Sequence, residues 1–282
     1  MTSTPDSVLF SEELVAEVQG TAPEMVLEAL SLVTLLGNTE FFIIFLTVYY
    51  WGVSREKGLP LLAVALTTAV VSAGLKEAFG IPRPPTDLHL IEASHYGLPS
   101  GHAMSPVLIY GAVLYTVESL SRLQKVVIGF AVVLPISVSR IFLGVHYPAD
   151  TLAGWFFGGV LLALFVFYAE METERSLLVA LSVSTPFVVL FAGVENVLFG
   201  FGGLAAVVVG WWLSTDAGSL DVDTLKGAAA LVAGLVVVVA GWTLSSDLSG
   251  FYVFGTAFVI SLFVVGYLDI YATVEEFAAS RI

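Results

Sequence analysis

The sequence contains no cysteine, which excludes disulfides and thiolate metal sites. Positive charge is scarce: ten Lys and Arg stand against 24 Asp and Glu, a formal net charge of −14. Nucleic acid is therefore not an expected partner. Charge of either sign makes up only 12% of the 282 residues, where a soluble domain has about a quarter. Long apolar runs fill the gap. The chain is 57% hydrophobic, with a mean hydropathy of +0.94, and a soluble fold is excluded on that ground. Histidine is also rare, and its placement is uneven: His89, His95, His102 and His146 all fall within one stretch.

A helix that crosses a bilayer needs roughly 20 apolar residues. Runs at 60–79, 124–143, 151–168, 176–194, 197–213, 227–244 and 250–268 qualify. Two less regular ones lie at 30–53, interrupted by Gly37, Asn38 and Glu40, and at 103–117, which is short. The expected fold is all-α, a polytopic membrane bundle of about nine spans with the lipid bilayer as its surroundings. The acidic start lacks the basic n-region and cleavage site of a signal peptide. Leu, Val and Met recur along 8–28, which reads as an amphipathic helix on the membrane surface. Three parts are expected: an acidic segment 1–29, a core of five spans at 30–170, and a four-helix extension at 171–282.

Ten cations are few enough to place one by one. With nine spans, Arg55, Lys57, Arg122, Lys125, Arg175, Lys226 and Arg281 share one side of the membrane. Cytoplasmic loops carry the excess of Lys and Arg, so those seven mark the cytoplasm, with the N-terminus outside and the C-terminus inside. Lys76, Arg83 and Arg140 fall on the outer side, against the rule, and need another reason to be there.

Three outward segments supply one. They are KEAFGIPRPP at 76–85, PSGH at 99–102 and SRIFLGVHYPAD at 139–150. Three cations around a small basin call for a polyanion such as a phosphate ester. Arg83 and Arg140 pair two phosphate oxygens through a planar fork, and Lys76 adds a point charge. Gly101 lets the backbone approach a ligand, Ser100 offers a hydroxyl, and free N–H groups of a helix starting near His102 can hold an oxyanion. Pro148 suits the first position of a helix. This puts His146 just before the helix and Asp150 in its first turn, where its carboxylate can hold one ring nitrogen and leave the other nucleophilic. His102, on another segment, is placed to protonate a leaving oxygen. The set fits phosphoryl transfer through a phosphohistidine. No metal and no cofactor are expected, because Glu77, Asp87, Glu92 and Asp150 form no spaced cluster.

The three segments resemble the type 2 phosphatidic acid phosphatase superfamily. Its pattern, Lys-x6-Arg-Pro, then Pro-Ser-Gly-His, then Ser-Arg-x5-His-x3-Asp, is met by Lys76, Arg83 and Pro84; by Pro99, Ser100, Gly101 and His102; and by Ser139, Arg140, His146 and Asp150. The resemblance covers about 35–170. It implies His146 as nucleophile, Asp150 as its partner and His102 as general acid, with Lys76, Arg83, Ser100, Gly101 and Arg140 binding phosphate. It further implies a metal-free hydrolase acting at the outer face on a membrane lipid phosphate or isoprenoid diphosphate, with a slight lean to the diphosphate. Many relatives have six spans, and here the one before the first-motif pair is missing or replaced by 8–28.

Other readings compete. Lipid phosphotransfer would replace water by a second alcohol. An anion transporter or scaffold would bind phosphate without chemistry, though binding alone needs no nucleophile with an orienting acid. Haloperoxidase chemistry fits such a site but not the membrane setting. His89 and His95 read as solvated loop residues. Thr67, Thr68 and Ser72 read as helix-packing residues, as do Gly154 and Gly158 at GxxxG spacing. Glu195 and Asn196 read as an outer turn. Charge of −14 self-repels at low salt, so one hypothesis is a source adapted to high salt; the alternative is an ordinary acidic membrane protein.

Overall fold

The computed structural model describes residues 7–93 and 96–215. Among them every regular element is helical, and strand-like pairing is limited to one isolated bridge between Pro82 and Tyr96. The helices are α1 (Glu12–Thr21), α2 (Glu24–Val33), α3 (Thr39–Gly52), α4 (Arg55–Phe79), α5 (Gly101–Thr116), α6 (Arg122–Phe142), α7 (Pro148–Ala163), α8 (Thr173–Leu190) and α9 (Glu195–Thr215).

Among the described residues, four helical stretches are long and apolar enough to cross a membrane: Glu56–Phe79, Arg122–Phe142, Pro148–Tyr168 and Thr173–Leu190. A fifth would be the bent pair Glu24–Gly37 and Phe41–Tyr50, which turns by 48°. The expected spans at 227–244 and 250–268 lie outside the described residues. The expected span at 103–117 forms α5, whose 16 residues rise about 24 Å, short of the ~30 Å hydrocarbon layer. The apolar part of α9, Glu195–Val209, is short as well. The expected turn at Glu195 sits slightly earlier, since Glu195 already opens α9.

Helix ends follow local chemistry. Ser54 caps α4 by accepting from the Lys57 N–H at 3.2 Å, and Gly80, with φ 59°, ends it in the left-handed conformation that glycine tolerates. Ser121 and Gln124 form a capping box at the start of α6. Pro148 stands at the first position of α7, as the sequence predicts. α4 is the central post, 67% buried in its apolar window, against 28% for α6. It packs on α5, α8 and α9, while α5 packs on α7. Gly154 and Gly158 explain the last contact. A Cβ on Gly154 would sit 2.7 Å from the Ser100 carbonyl oxygen, and one on Gly158 would sit 2.7 Å from that of Met104. Both glycines thus let α7 lie against the α5 backbone, the packing role their spacing predicts.

This up-and-down order decides where the motifs fall. Lys76 and Arg140 occupy the last turns of α4 and α6, where cations complement the helix dipole. Ser100 caps the start of α5, and Asp150 lies in the first turn of α7. Two C-terminal and two N-terminal helix ends therefore share one end of the bundle.

The segment expected as a single amphipathic helix at 8–28 folds as two, α1 and α2, separated at Ala22 and Pro23. Gln19 of α1 donates to the carbonyls of Leu88 and Phe142, at 3.0 and 3.1 Å, and so ties the loop after α4 to the end of α6.

Candidate active site

The loop after α4 crosses the end of the bundle. Its backbone is pinned by Gly97 N–H donating to Ile81 C=O at 2.9 Å and Leu90 N–H donating to Leu143 C=O at 3.1 Å. The Ser100 N–H donates to the Asp150 carbonyl at 2.9 Å, which locks the second motif to the third.

His146 is fully buried. Its Nδ1 lies 3.0 Å from Asp150 Oδ2, and its Nε2 lies 2.8 Å from an Arg83 guanidinium nitrogen, NH1. The same Arg83 nitrogen donates to the Val145 carbonyl at 2.6 Å. Arginine has only donors, so Nε2 must accept. The ring proton is then on Nδ1, which donates to Asp150. Asp150 Oδ2 also accepts from the Tyr147 N–H at 3.0 Å, so one carboxylate oxygen fixes both the imidazole and the helix start. Burial holds His146 well below the ordinary imidazole range, and the charges of Arg83, Arg140, Lys76 and His102 push the same way. His146 is therefore neutral, and its contact with Asp150 is a hydrogen bond rather than an ion pair. Burial also lowers Arg83, to about 10, which leaves it charged at neutral pH.

The other sequence-identified residues surround this centre. A Cβ on Gly101 would fall 3.1 Å from Ser72 Oγ and 4.0 Å from Lys76 Nζ; with hydrogen there instead, the backbone opens onto both. Ser72, read from sequence as a packing residue, thus lies on the site's wall, one turn before Lys76. Arg140 is buried, and its NH1 donates to Thr34 Oγ1 at 2.7 Å. Ser100 Oγ, Arg140 Nε and Asp150 Oδ1 are buried with no hydrogen-bond partner.

His102 is half-buried and pairs elsewhere: its Nε2 is 2.8 Å from Asn38 Oδ1. Burial holds it well below the ordinary imidazole range, and the charges of Arg140, Lys76 and Arg83 push the same way. A cavity of about 320 Å³ opens beside it, walled by Ser72, Lys76, Tyr96, Ser105, Asn196 and Phe199 among others. Among the described residues no three His, Asp or Glu side chains group as a metal site.

The family model of the PAP2 superfamily matches residues 57–175, the stretch that carries all three motifs. Residues 57–175 are thus similar to the PAP2 superfamily. The chain is 29% identical to sphingosine-1-phosphate phosphatase 1 of Rattus norvegicus over 49% of its length and 34% of that protein. It is 30% identical to undecaprenyl-diphosphatase of Sulfolobus acidocaldarius over 37% of its length and 52% of that protein. The crystal structure of a transmembrane PAP2-type phosphatidylglycerolphosphate phosphatase from Bacillus subtilis superposes with a TM-score of 0.51 at 25% identity, covering 56% of this chain and 84% of that one. The chain spans about a third of the sphingosine-1-phosphate phosphatase and half of the undecaprenyl-diphosphatase.

Some neighbours of the candidate site escape a motif-based reading. Thr34 and Asn38 lie before the matched stretch, and their only sequence signal is that small and polar residues interrupt an apolar run. His89 is half-buried, its Nε2 2.9 Å from the Pro84 carbonyl. His95 lies outside the described residues.

Proposed function

We propose that the chain is a membrane lipid phosphatase that works through a phosphohistidine at the extracytoplasmic face. The observation that carries this is the state of His146. Its proton is held on Nδ1 by Asp150, and its Nε2 lone pair is directed at a guanidinium. Nε2 cannot accept from Arg83 and attack phosphorus together. A phosphate entering the basin draws Arg83 onto its own oxygens and frees the lone pair beside them. Buried donors without acceptors cost about 1–3 kcal/mol each, and phosphate oxygens would satisfy both Ser100 Oγ and Arg140 Nε.

His146 Nε2 then forms the N–P bond as the P–O bond to the lipid breaks, and His102 gives its proton to the departing oxygen. In the second half, His102 takes a proton from water. The hydroxide attacks phosphorus, the N–P bond breaks, and phosphate leaves. Fixed cations do most of the work by stabilising charge on the equatorial oxygens. The cavity beside His102 is at the lower end of the ordinary ligand-site range and would take the leaving part of the headgroup. The similar proteins described above are named for a phosphorylated sphingoid base, an isoprenoid diphosphate and a phosphatidylglycerol phosphate, so monoester and diphosphate are both within reach of such a site.

Phosphate release from the detergent-solubilised full chain tests this, with a panel of those three substrates, and with and without EDTA. Expected are release that EDTA does not abolish and an acid-labile, alkali-stable phosphoenzyme. A His146→Ala protein that still releases phosphate would overturn the mechanism, and headgroup exchange in mixed lipids would point to phosphotransfer.

A further inference from the structure

We propose that the break in the first apolar run, Thr34 to Asn38, is a wall of the catalytic site, with Asn38 the positioning residue for His102 and Thr34 that for Arg140. The inference rests on the reading of His102 as the general acid.

Asn38 occupies the N-cap of α3, a position that asparagine favours because its side chain can accept from the first free N–H groups. It makes no such bond here. Its amide oxygen instead meets His102, 64 residues away. The side chain is thus diverted from the structural role its position offers. Thr34, one helical turn earlier, is buried and holds Arg140, 106 residues away. Gly37 lies between them, and a Cβ there would approach His102 Cδ2 at 3.1 Å and Ile136 Cγ2 at 2.8 Å. The 3-10 turn of Thr34–Gly37 therefore presses backbone against the histidine ring. Tyr110 secures the turn from outside by donating to the Leu36 carbonyl at 2.8 Å.

Contacts at both Cδ2 and Nε2 put one edge of the His102 ring against the break. Nε2–H is held by Asn38, so the proton for the leaving oxygen travels on Nδ1, at the opposite edge. An amide oxygen aims the ring but does not stabilise the imidazolium as a carboxylate would. His102 therefore surrenders its proton readily, which suits an acid. Thr34, Gly37 and Asn38 all lie before the stretch that matches the family model.

The test uses purified full-length protein in detergent. Substrates are sphingosine-1-phosphate, whose alkoxide must be protonated to leave, and p-nitrophenyl phosphate, whose phenolate need not be. Asn38→Ala should lower kcat on the lipid about 10- to 100-fold with KM nearly unchanged, and lower p-nitrophenyl phosphate turnover less than threefold. Asn38→Asp keeps the size and the capping ability but supplies a carboxylate. It should move the alkaline limb of the lipid pH–kcat profile up by about one unit. Thr34→Val should raise KM several-fold with kcat retained. Equal losses on both substrates with an unmoved pH limb, or no loss at all, would overturn the proposal. The Asp variant decides from the lipid profile alone if p-nitrophenyl phosphate is a poor substrate. His146→Ala is the control: activity surviving there would defeat the mechanism itself, whatever Asn38 does.

Discussion

The two histidines are built in opposite ways. His146 takes its partner from four residues along the chain, Asp150, which is in the first turn of the helix His146 precedes. His102 takes its partner from another segment, 64 residues away, at a kink in an apolar run. One partner is a carboxylate and the other an amide; one ring is fully buried and the other half-buried. The difference matches the work assigned to each. A nucleophile gains from an anion that fixes its tautomer and steadies the positive charge formed on attack. An acid gains from a neutral partner that aims it without holding its proton.

The sharpest way to break the comparison is to remove each ring in turn. His146→Ala should cut turnover on every substrate by about 10⁴-fold or more and abolish the phosphoenzyme, measured by acid-quenched labelling. His102→Ala should cut lipid monoester hydrolysis about 10²- to 10⁴-fold but spare diphosphates more, since phosphate leaves without a proton more easily than an alkoxide. Equal loss on both substrate classes would mean that the two rings do not divide the labour.

The same contrast explains what could be read from sequence. The His146–Asp150 pair was legible because its spacing, with Pro148 between, dictates a helix start and a contact across one turn. The grouping of Lys76, Arg83 and Arg140 was legible because each lies in one of the three motif segments. Asn38 and Thr34 were not, because they sit inside a run counted as a membrane span and meet their partners only through tertiary packing. Hydropathy averages over such a break. It also credited α5 with a full span, although that helix stops at Thr116. Gly154 and Gly158 were read correctly as contact positions, since a missing side chain at i, i+4 spacing has few other uses in an apolar helix.

pH sharpens the comparison from another side. Burial and the surrounding cations keep His146 neutral well below the usual imidazole value of about 6.5. The acid limb of kcat/KM should therefore lie below pH 6.5, and a limb near 6.5 would show an ordinary, solvated nucleophile. Linkage gives stability the same sign. The unfolded chain binds a proton at His146 below about pH 6.5 while the folded chain does not, so this group makes the fold weaker as pH falls from there toward the depressed native value. Thermal melts in detergent should show the slope, and His146→Ala should flatten it.

The smallest expected effect concerns the joint between the two histidine systems. α5 carries His102 and α7 carries Asp150, and their register depends on Gly154 lying against the α5 backbone and on the Ser100 to Asp150 hydrogen bond. Gly154→Ala places a methyl 2.7 Å from the Ser100 carbonyl and 3.0 Å from the Met104 nitrogen. Both are backbone atoms, so the helices must part by a few tenths of an ångström. A loss of about 1–3 kcal/mol in stability is expected from overpacking, read as a lower melting temperature. KM should rise a few-fold as Ser100 and Gly101 shift from the basin, and kcat should fall less, because neither imidazole loses its own partner. A fall in kcat with KM unchanged would instead mean that the α5–α7 contact tunes the distance between the rings, and that the two histidines are less independent than their separate partners imply.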